Sequence, residues 1–83
     1  MDKIMIELFV PAVNQRYDVF IPLYGKIYEI EQLLTKAVVD LSDGYFAATA
    51  DTVLCEHMSG GLLDGKLTPH EAGLYNGSKL LLL

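Results

Sequence analysis

Ile4, Ile6, Leu8 and Val10 recur at every second position, and from Ile27 onward the apolar spacing changes to three and four. A side-chain period of two belongs to a strand with one buried face, and a period near 3.6 belongs to a helix. A chain that opens with the first and switches to the second must lay down strands and then pack a helix against them. The alternation over residues 3–10 puts Met5, Glu7 and Phe9 on the opposite face. Pro11 has no N–H for a ladder, so pairing is expected to end there. Asn14 and Gln15 supply turn chemistry, and residues 16–21 form a second run with Tyr17, Val19 and Ile21 on one side, stopped by Pro22. Two such runs joined by a short polar loop predict a β-hairpin.

The helical stretch is expected near residues 27–42, with Ile27, Ile30, Leu33 or Leu34, Ala37, Val38 and Leu41 along its apolar face. Its start is weakly marked, because Gly25 and Lys26 are poor caps. Its end is sharper: Ser42-Asp43-Gly44 places a glycine where a left-handed residue is needed. The connection over 45–51 is apolar for a loop and should tuck Tyr45 or Phe46 inward. A third strand is expected over Thr52–His57, with Val53 and Cys55 inward and Leu54 and Glu56 outward. Ser59-Gly60-Gly61 and Asp64-Gly65 mark turns around Leu62-Leu63. Thr68-Pro69-His70-Glu71 carries a threonine cap, a proline at the first helical position and a glutamate three residues after the cap, which is a capping box. Gly73 cuts this helix to about one turn, Asn76-Gly77 turns the chain, and 78–83 is the last strand. The expected core is Ile4, Ile6, Leu8, Tyr17, Val19, Ile21, Ile27, Ile30, Leu34, Val38, Leu41, Val53, Leu67, Leu74, Leu80 and Leu82.

At 83 residues the chain has room for one domain, 1–83, and at 52 % hydrophobic it is too apolar for intrinsic disorder. No segment approaches the ~20 apolar residues that span a bilayer. Asp2 and Glu7 stand where a secretory leader would need a basic and then an apolar region, so a cytoplasmic location is expected. The net charge is −5 and the six basic residues are scattered. That removes the main driving force for nucleic acid or anionic membranes, so neither is expected as a partner, and direct membrane insertion is not expected. A lone cysteine, Cys55, excludes an intrachain disulfide and a cysteine-rich zinc site. Cys55 and His57 share a strand face while Glu56 points away; two ligands do not close a metal site, and Cys55 is expected as a small core hydrophobe. No Ser/His/Asp spacing and no glycine-rich phosphate loop is present, so no cofactor and no enzymatic activity is expected. Tyr24 and Tyr28 flank the helix start and offer a minor contact surface; the simpler reading is partial burial with their hydroxyls in water.

The order β-β-α-β, short strand, short helix, β resembles the ubiquitin-like β-grasp fold over essentially the whole chain. The resemblance is most specific in Leu62-Leu63-Asp64-Gly65-Lys66-Leu67 and in Ala72-Gly73-Leu74-Tyr75-Asn76-Gly77-Ser78-Lys79-Leu80-Leu81-Leu82. It implies an α+β architecture: a mixed four- or five-stranded sheet packed on one helix, with a one-turn helix plugging the open end of the sheet and Leu67 and Leu74 as its anchors. The pattern Gly-Leu-x-Asn-Gly-x-Lys-Leu is similar to the small bacterial YukD/EsaB family, which accompanies type VII (WXG100) secretion. That resemblance implies a non-catalytic interaction module, an accessory or regulatory component of such a system. The competing reading is a ubiquitin-like carrier or adaptor domain acting with an enzyme partner. Carriers of this fold end in a flexible diglycine tail. This chain ends in Leu80-Leu81-Leu82-Leu83, and Gly60-Gly61 is internal, so conjugation and sulfur transfer are not expected.

With Leu80 and Leu82 inward, period two sends Leu81 and Leu83 to the uncovered face of the sheet. Leu54 is expected beside them, since the resemblance puts the third and last strands side by side. Leu54, Leu81 and Leu83 are therefore the candidate protein-binding residues, in the place of ubiquitin's main recognition patch. The alternative is that Leu81 and Leu83 are covered by a terminal loop or by self-association as a homodimer.

Overall fold

The computed structural model describes residues 2–47 and 52–83. Strand β1 (Lys3–Val10) pairs antiparallel with β2 (Gln15–Pro22), with Ile4 opposite Ile21 and Leu8 opposite Tyr17. Between them Pro11–Val13 makes one turn of 3₁₀ helix, and Asn14 takes a left-handed backbone (φ 50°) that aims the chain back. Helix α1 (Ile27–Leu41) then crosses one face. Strand β3 (Leu54–Glu56) pairs antiparallel with β4 (Lys79–Leu82), and β4 pairs parallel with β1. The sheet order is β2-β1-β4-β3, a mixed four-stranded sheet. The radius of gyration is 11.7 Å, about what a compact chain of this length needs.

The core lies between the sheet and α1. Ile4, Ile6, Leu8, Val10, Ile21, Leu54, Leu80 and Leu82 face Ile27, Ile30, Leu34 and Val38, with Phe46 and Leu74 closing the ends. Tyr17, Val19 and Leu67 pack against this cluster partly buried. Leu41, expected inside, is 60 % exposed, and Leu33 and Ala37 are also on the solvent side of the helix. The reason lies in how α1 ends. Asp43 (φ 53°) and Gly44 (φ 82°) are both left-handed, so the chain reverses sharply. The Phe46 N–H then donates to Ser42 Oγ at 2.9 Å. That brings the Phe46 ring into the core, while Tyr45 stays 87 % exposed. Residues 48–51 of the expected connection lie outside the described residues.

The poorly marked start of α1 is capped from a distance. Lys26 at the N-cap position makes no side-chain cap. Instead the Ile27 N–H donates to the Leu67 carbonyl (2.9 Å) and the Tyr28 N–H to the Gly65 carbonyl (3.1 Å). Two of the donors that every helix start leaves unpaired are thereby satisfied by a segment nearly forty residues downstream. Gly65 is needed for this approach, since a Cβ there would stand 3.0 Å from the Tyr28 Cβ.

The capping box forms as a hydrogen-bonded turn over residues 69–73 rather than an assigned helix. The Thr68 N–H donates to Glu71 Oε1 (2.9 Å) and the Glu71 N–H donates to Thr68 Oγ1 (3.1 Å). The Thr68 backbone and hydroxyl together hold the Glu71 carboxyl below its usual range. Thr68→Ala is expected to lower stability by ~0.5–2 kcal/mol in urea unfolding at pH 7. Glu71 favours its charged form in the fold, so its contribution is present above the ordinary carboxylate pKa and is lost as pH falls below that range. The Thr68→Ala deficit should therefore shrink in unfolding curves taken at progressively more acid pH.

Candidate functional site

The register across the sheet fixes what its uncovered face presents. Phe9 stands between Arg16 on β2 and Leu81 on β4, and Leu81 stands beside Cys55 on β3. Cys55 in turn pairs with Leu62 through an isolated antiparallel bridge. Arg16, Phe9, Leu81, Cys55 and Leu62 thus form one row from edge to edge. The Glu56 N–H donates to the Gly61 carbonyl and the Leu63 N–H to the Leu54 carbonyl. Cys55 and Leu62 are then a non-hydrogen-bonded pair, the kind in which side chains lie closest. Leu62 remains 70 % exposed, whereas Cys55 is only 3 % exposed. Burial, and secondarily the negative charge of Glu31, pushes the Cys55 thiol up. It sits as a neutral apolar group rather than a reactive thiolate.

This geometry corrects one expected site residue. Leu54 does not join the outer face. It lies opposite Leu82 on the helix side and is 1 % exposed. The phase of β3 is therefore the reverse of the one expected: Leu54 is inward, and Cys55 takes the outer position. Val53, expected in the core, is only half-buried. It exchanges backbone hydrogen bonds with Leu83 (3.0 and 2.9 Å), which sets the pair just beyond the end of β4. Leu81 is half-buried and Leu83 is 51 % exposed, both on the face expected of them. Sequence reasoning missed Leu62, whose apolar side chain stands next to a glycine turn. Phe9, whose outward phase the alternation of β1 already gave, and Phe20, outward by the phase of β2, were not named as candidates. Phe20 is 71 % exposed and lies opposite Met5.

A charged row borders the apolar one. Asp18, Glu7 and Lys79 stand side by side across β2, β1 and β4. Arg16 reaches back to Glu7 (3.4 Å) and lies over the Phe9 ring, 4.4 Å from its centroid. Both contacts are too exposed to add much stability. They place the guanidinium over the Phe9 ring at the end of the apolar row.

Elsewhere the surface offers a groove of about 450 Å³ between the hairpin and the end of α1, lined by Ala12, Val13, Gln15, Tyr17, Leu41, Ser42, Asp43 and Tyr45. Tyr24 and Tyr28, the minor contact surface considered above, are 59 % and 51 % exposed, and the Tyr24 ring rests 5.3 Å from His70. Among the described residues no group of three or more His, Cys, Asp or Glu side chains is placed to hold a metal ion. No helix among them is long and apolar enough to cross a membrane.

No family model matches the chain, and no curated protein matches it. Solved structures do. The ubiquitin-like domain of EccD5 from Mycobacterium xenopi aligns over 100 % of this chain and 94 % of its own, with a TM-score of 0.81 and 18 % identity. The ubiquitin-like domain of the Mycobacterium tuberculosis type VII secretion protein EccD1 aligns over 100 % and 99 %, with a TM-score of 0.79 and 14 % identity. A chain of the ESX-5 inner membrane complex aligns with a TM-score of 0.81 and 16 % identity, this chain spanning 21 % of its length. At such identities the likeness establishes the fold. A mixed sheet in the order β2-β1-β4-β3 wrapped on one helix, with the capped turn before its last strand, gives this chain the ubiquitin-like β-grasp fold.

Proposed function

We propose that this chain is a non-catalytic, cytoplasmic protein-interaction module of a bacterial type VII secretion system, and that it docks its partner on the outer face of the sheet. The observation that carries the reading is the apolar row Phe9–Leu81–Cys55–Leu62, in which Cys55 itself is buried, continued by the exposed Leu83. Isolated exposed leucines are ordinary, but a contiguous apolar strip rimmed by charge is the usual form of an interface. The rim also states what kind of surface fits. Asp18, Glu7 and Lys79 border the strip and Arg16 ends it, so its edge carries both signs. A complementary partner has an apolar centre and edge charges of the opposite order, which would fix orientation. The type VII setting is supported by the mycobacterial structures named above, which come from such systems, and by the resemblance of the C-terminal third.

The test is a pull-down with the native chain against the type VII membrane subunits and secretion ATPase encoded in the same genome. Leu62→Glu and Leu81→Glu serve as matched baits. The native chain is expected to retain at least one of these components, and each variant is expected to lose it. Leu62 is exposed, so Leu62→Glu should shift stability by no more than ~0.5 kcal/mol. Retention by both variants would place the interface elsewhere. Failure of the native chain to retain any component would remove the secretion reading.

A further inference from the structure

We propose that the open edge of β2 pairs with β2 of a second copy of this chain, antiparallel and centred on Tyr17, so that each Arg16 stands opposite the partner's Asp18. This edge adjoins the apolar row of the sheet face, which ends at Arg16.

The backbone comes first. The Leu23 N–H donates to the Asp2 carbonyl, which makes Asp2 and Leu23 a hydrogen-bonded pair in the hairpin register. The odd-numbered residues of β1 turn the other way: the Met5 carbonyl accepts from Gly77 and the Glu7 N–H donates to Ser78. Alternation along an antiparallel ladder then directs the N–H and C=O groups of Arg16, Asp18 and Phe20 away from β1. β2 is the last strand of the sheet on this side, and among the described residues nothing hydrogen-bonds to those groups. An eight-residue edge strand with a row of free donors and acceptors is a template for another strand.

The charges then select the partner and the register. Asp18 sits directly opposite Glu7, a like-charge cross-strand pair, and it has no cation of its own among the described residues. Like charges in that position are unfavourable. Arg16 and Asp18 lie two residues apart on the same face and carry opposite signs. A symmetric antiparallel pairing centred on Tyr17 brings Arg16 against the partner's Asp18 twice, once on each side of the axis. Both N–H groups and both C=O groups of Arg16 and Asp18 find partners in that register. Centring on Asp18 would oppose two carboxylates instead. Centring on Val19 would set Arg16 against the partner's Pro22, which has no N–H to give. Charges on an edge usually repel a second strand; here their order makes the edge self-complementary.

The helix side of the same edge agrees. Tyr17, half-buried, borders the groove of about 450 Å³ whose other wall carries the exposed Leu41 and Tyr45. The pairing lays the partner's Tyr17 against Tyr17 at the mouth of this groove and covers apolar surface on both copies. The ladder is short, because Asn14, next in register after Gln15, has turned into the left-handed region. The dimer is therefore weak, populated at ~1 mM protein.

Sedimentation equilibrium over a concentration series reads the association, with circular dichroism confirming that each variant is folded. Arg16→Asp or Asp18→Arg alone replaces both attractive pairs by repulsive ones and is expected to weaken association about tenfold or more. The double exchange Arg16→Asp with Asp18→Arg restores complementarity and is expected to recover it. As a second readout, Tyr17→Cys in a Cys55→Ala background should form a disulfide-linked dimer under mild oxidation. Residues on the axis of a non-hydrogen-bonded pair stand ~4.5 Å apart at Cα, within disulfide range. Leu33→Cys, on the exposed side of α1, should cross-link far less. A native chain that stays monomeric at ~1 mM, single variants that associate unchanged, a double exchange that fails to recover, or equal cross-linking at Tyr17 and Leu33 would each overturn the proposal. The pull-down variants at Leu62 and Leu81 leave this edge intact, so the two readings fail independently.

Discussion

Leu54→Asp is expected to leave the chain unfolded at 25 °C. Leu54 is 1 % exposed and faces the helix across from Leu82, itself fully buried. The substitution removes a leucine's transfer energy of ~1.5–3 kcal/mol and places a carboxylate, without a partner, where burial costs several more. A chain of 83 residues has a total stability of roughly 4–12 kcal/mol. The milder Leu54→Ala should cost ~2–5 kcal/mol, with cavity formation adding to the transfer term. Far-UV circular dichroism and urea midpoints read both. A folded Leu54→Asp with a native midpoint would return Leu54 to the outer face and undo the phase of β3 described here.

The second large effect is expected at the junction of the first and last strands. Leu8 and Leu80 are paired across the parallel β1–β4 ladder and neither has any exposed surface. Each truncation to alanine should lower the unfolding free energy by ~2–5 kcal/mol. The two side chains share one site in the core, so the double variant should depart from additivity by ~0.5–3 kcal/mol. Urea titrations of the four chains complete the cycle. Additivity within ~0.3 kcal/mol would mean that the residues do not share a cavity. This ladder closes the fold, since it joins the two ends of the sequence. It is reinforced by Asn76, whose Oδ1 accepts from the Met5 N–H at 2.7 Å, and by the Gly77 N–H, which donates to the Met5 carbonyl at 2.7 Å. The Asn-Gly pair that reads locally as a turn is thus also a clamp on β1.

The strands and the helix were legible wherever a run was long enough for its period to be counted. Ile4, Ile6 and Leu8 over eight residues, and Ile27, Ile30, Leu34 and Val38 over fifteen, leave little freedom in which face turns inward. The capping box was legible for another reason: its two hydrogen bonds join residues three apart, so chain proximity alone brings them together. β3 gave no such purchase. It is three residues long and offers apolar side chains at both Leu54 and Cys55, so alternation does not distinguish its two phases. For that reason Leu81 and Leu83 lie on the expected side of the sheet and Leu54 does not. Leu41 followed the helical period faithfully and still lies in solvent, because the chain reverses just after it and sends Phe46 into the core.

The sequence by itself determined the periodic faces of β1 and α1, the turn chemistry and the capped turn, because each depends on residues within a few positions of one another. Tertiary structure decided the rest. The partner of Leu54 is Leu82, the caps of Ile27 and Tyr28 are Leu67 and Gly65, and the outer row draws Phe9, Leu81, Cys55 and Leu62 from four separate segments. Such choices are settled by which distant backbone arrives alongside. When a short strand can turn either face inward, the register of its neighbour, and not its own composition, fixes which side chain water can reach.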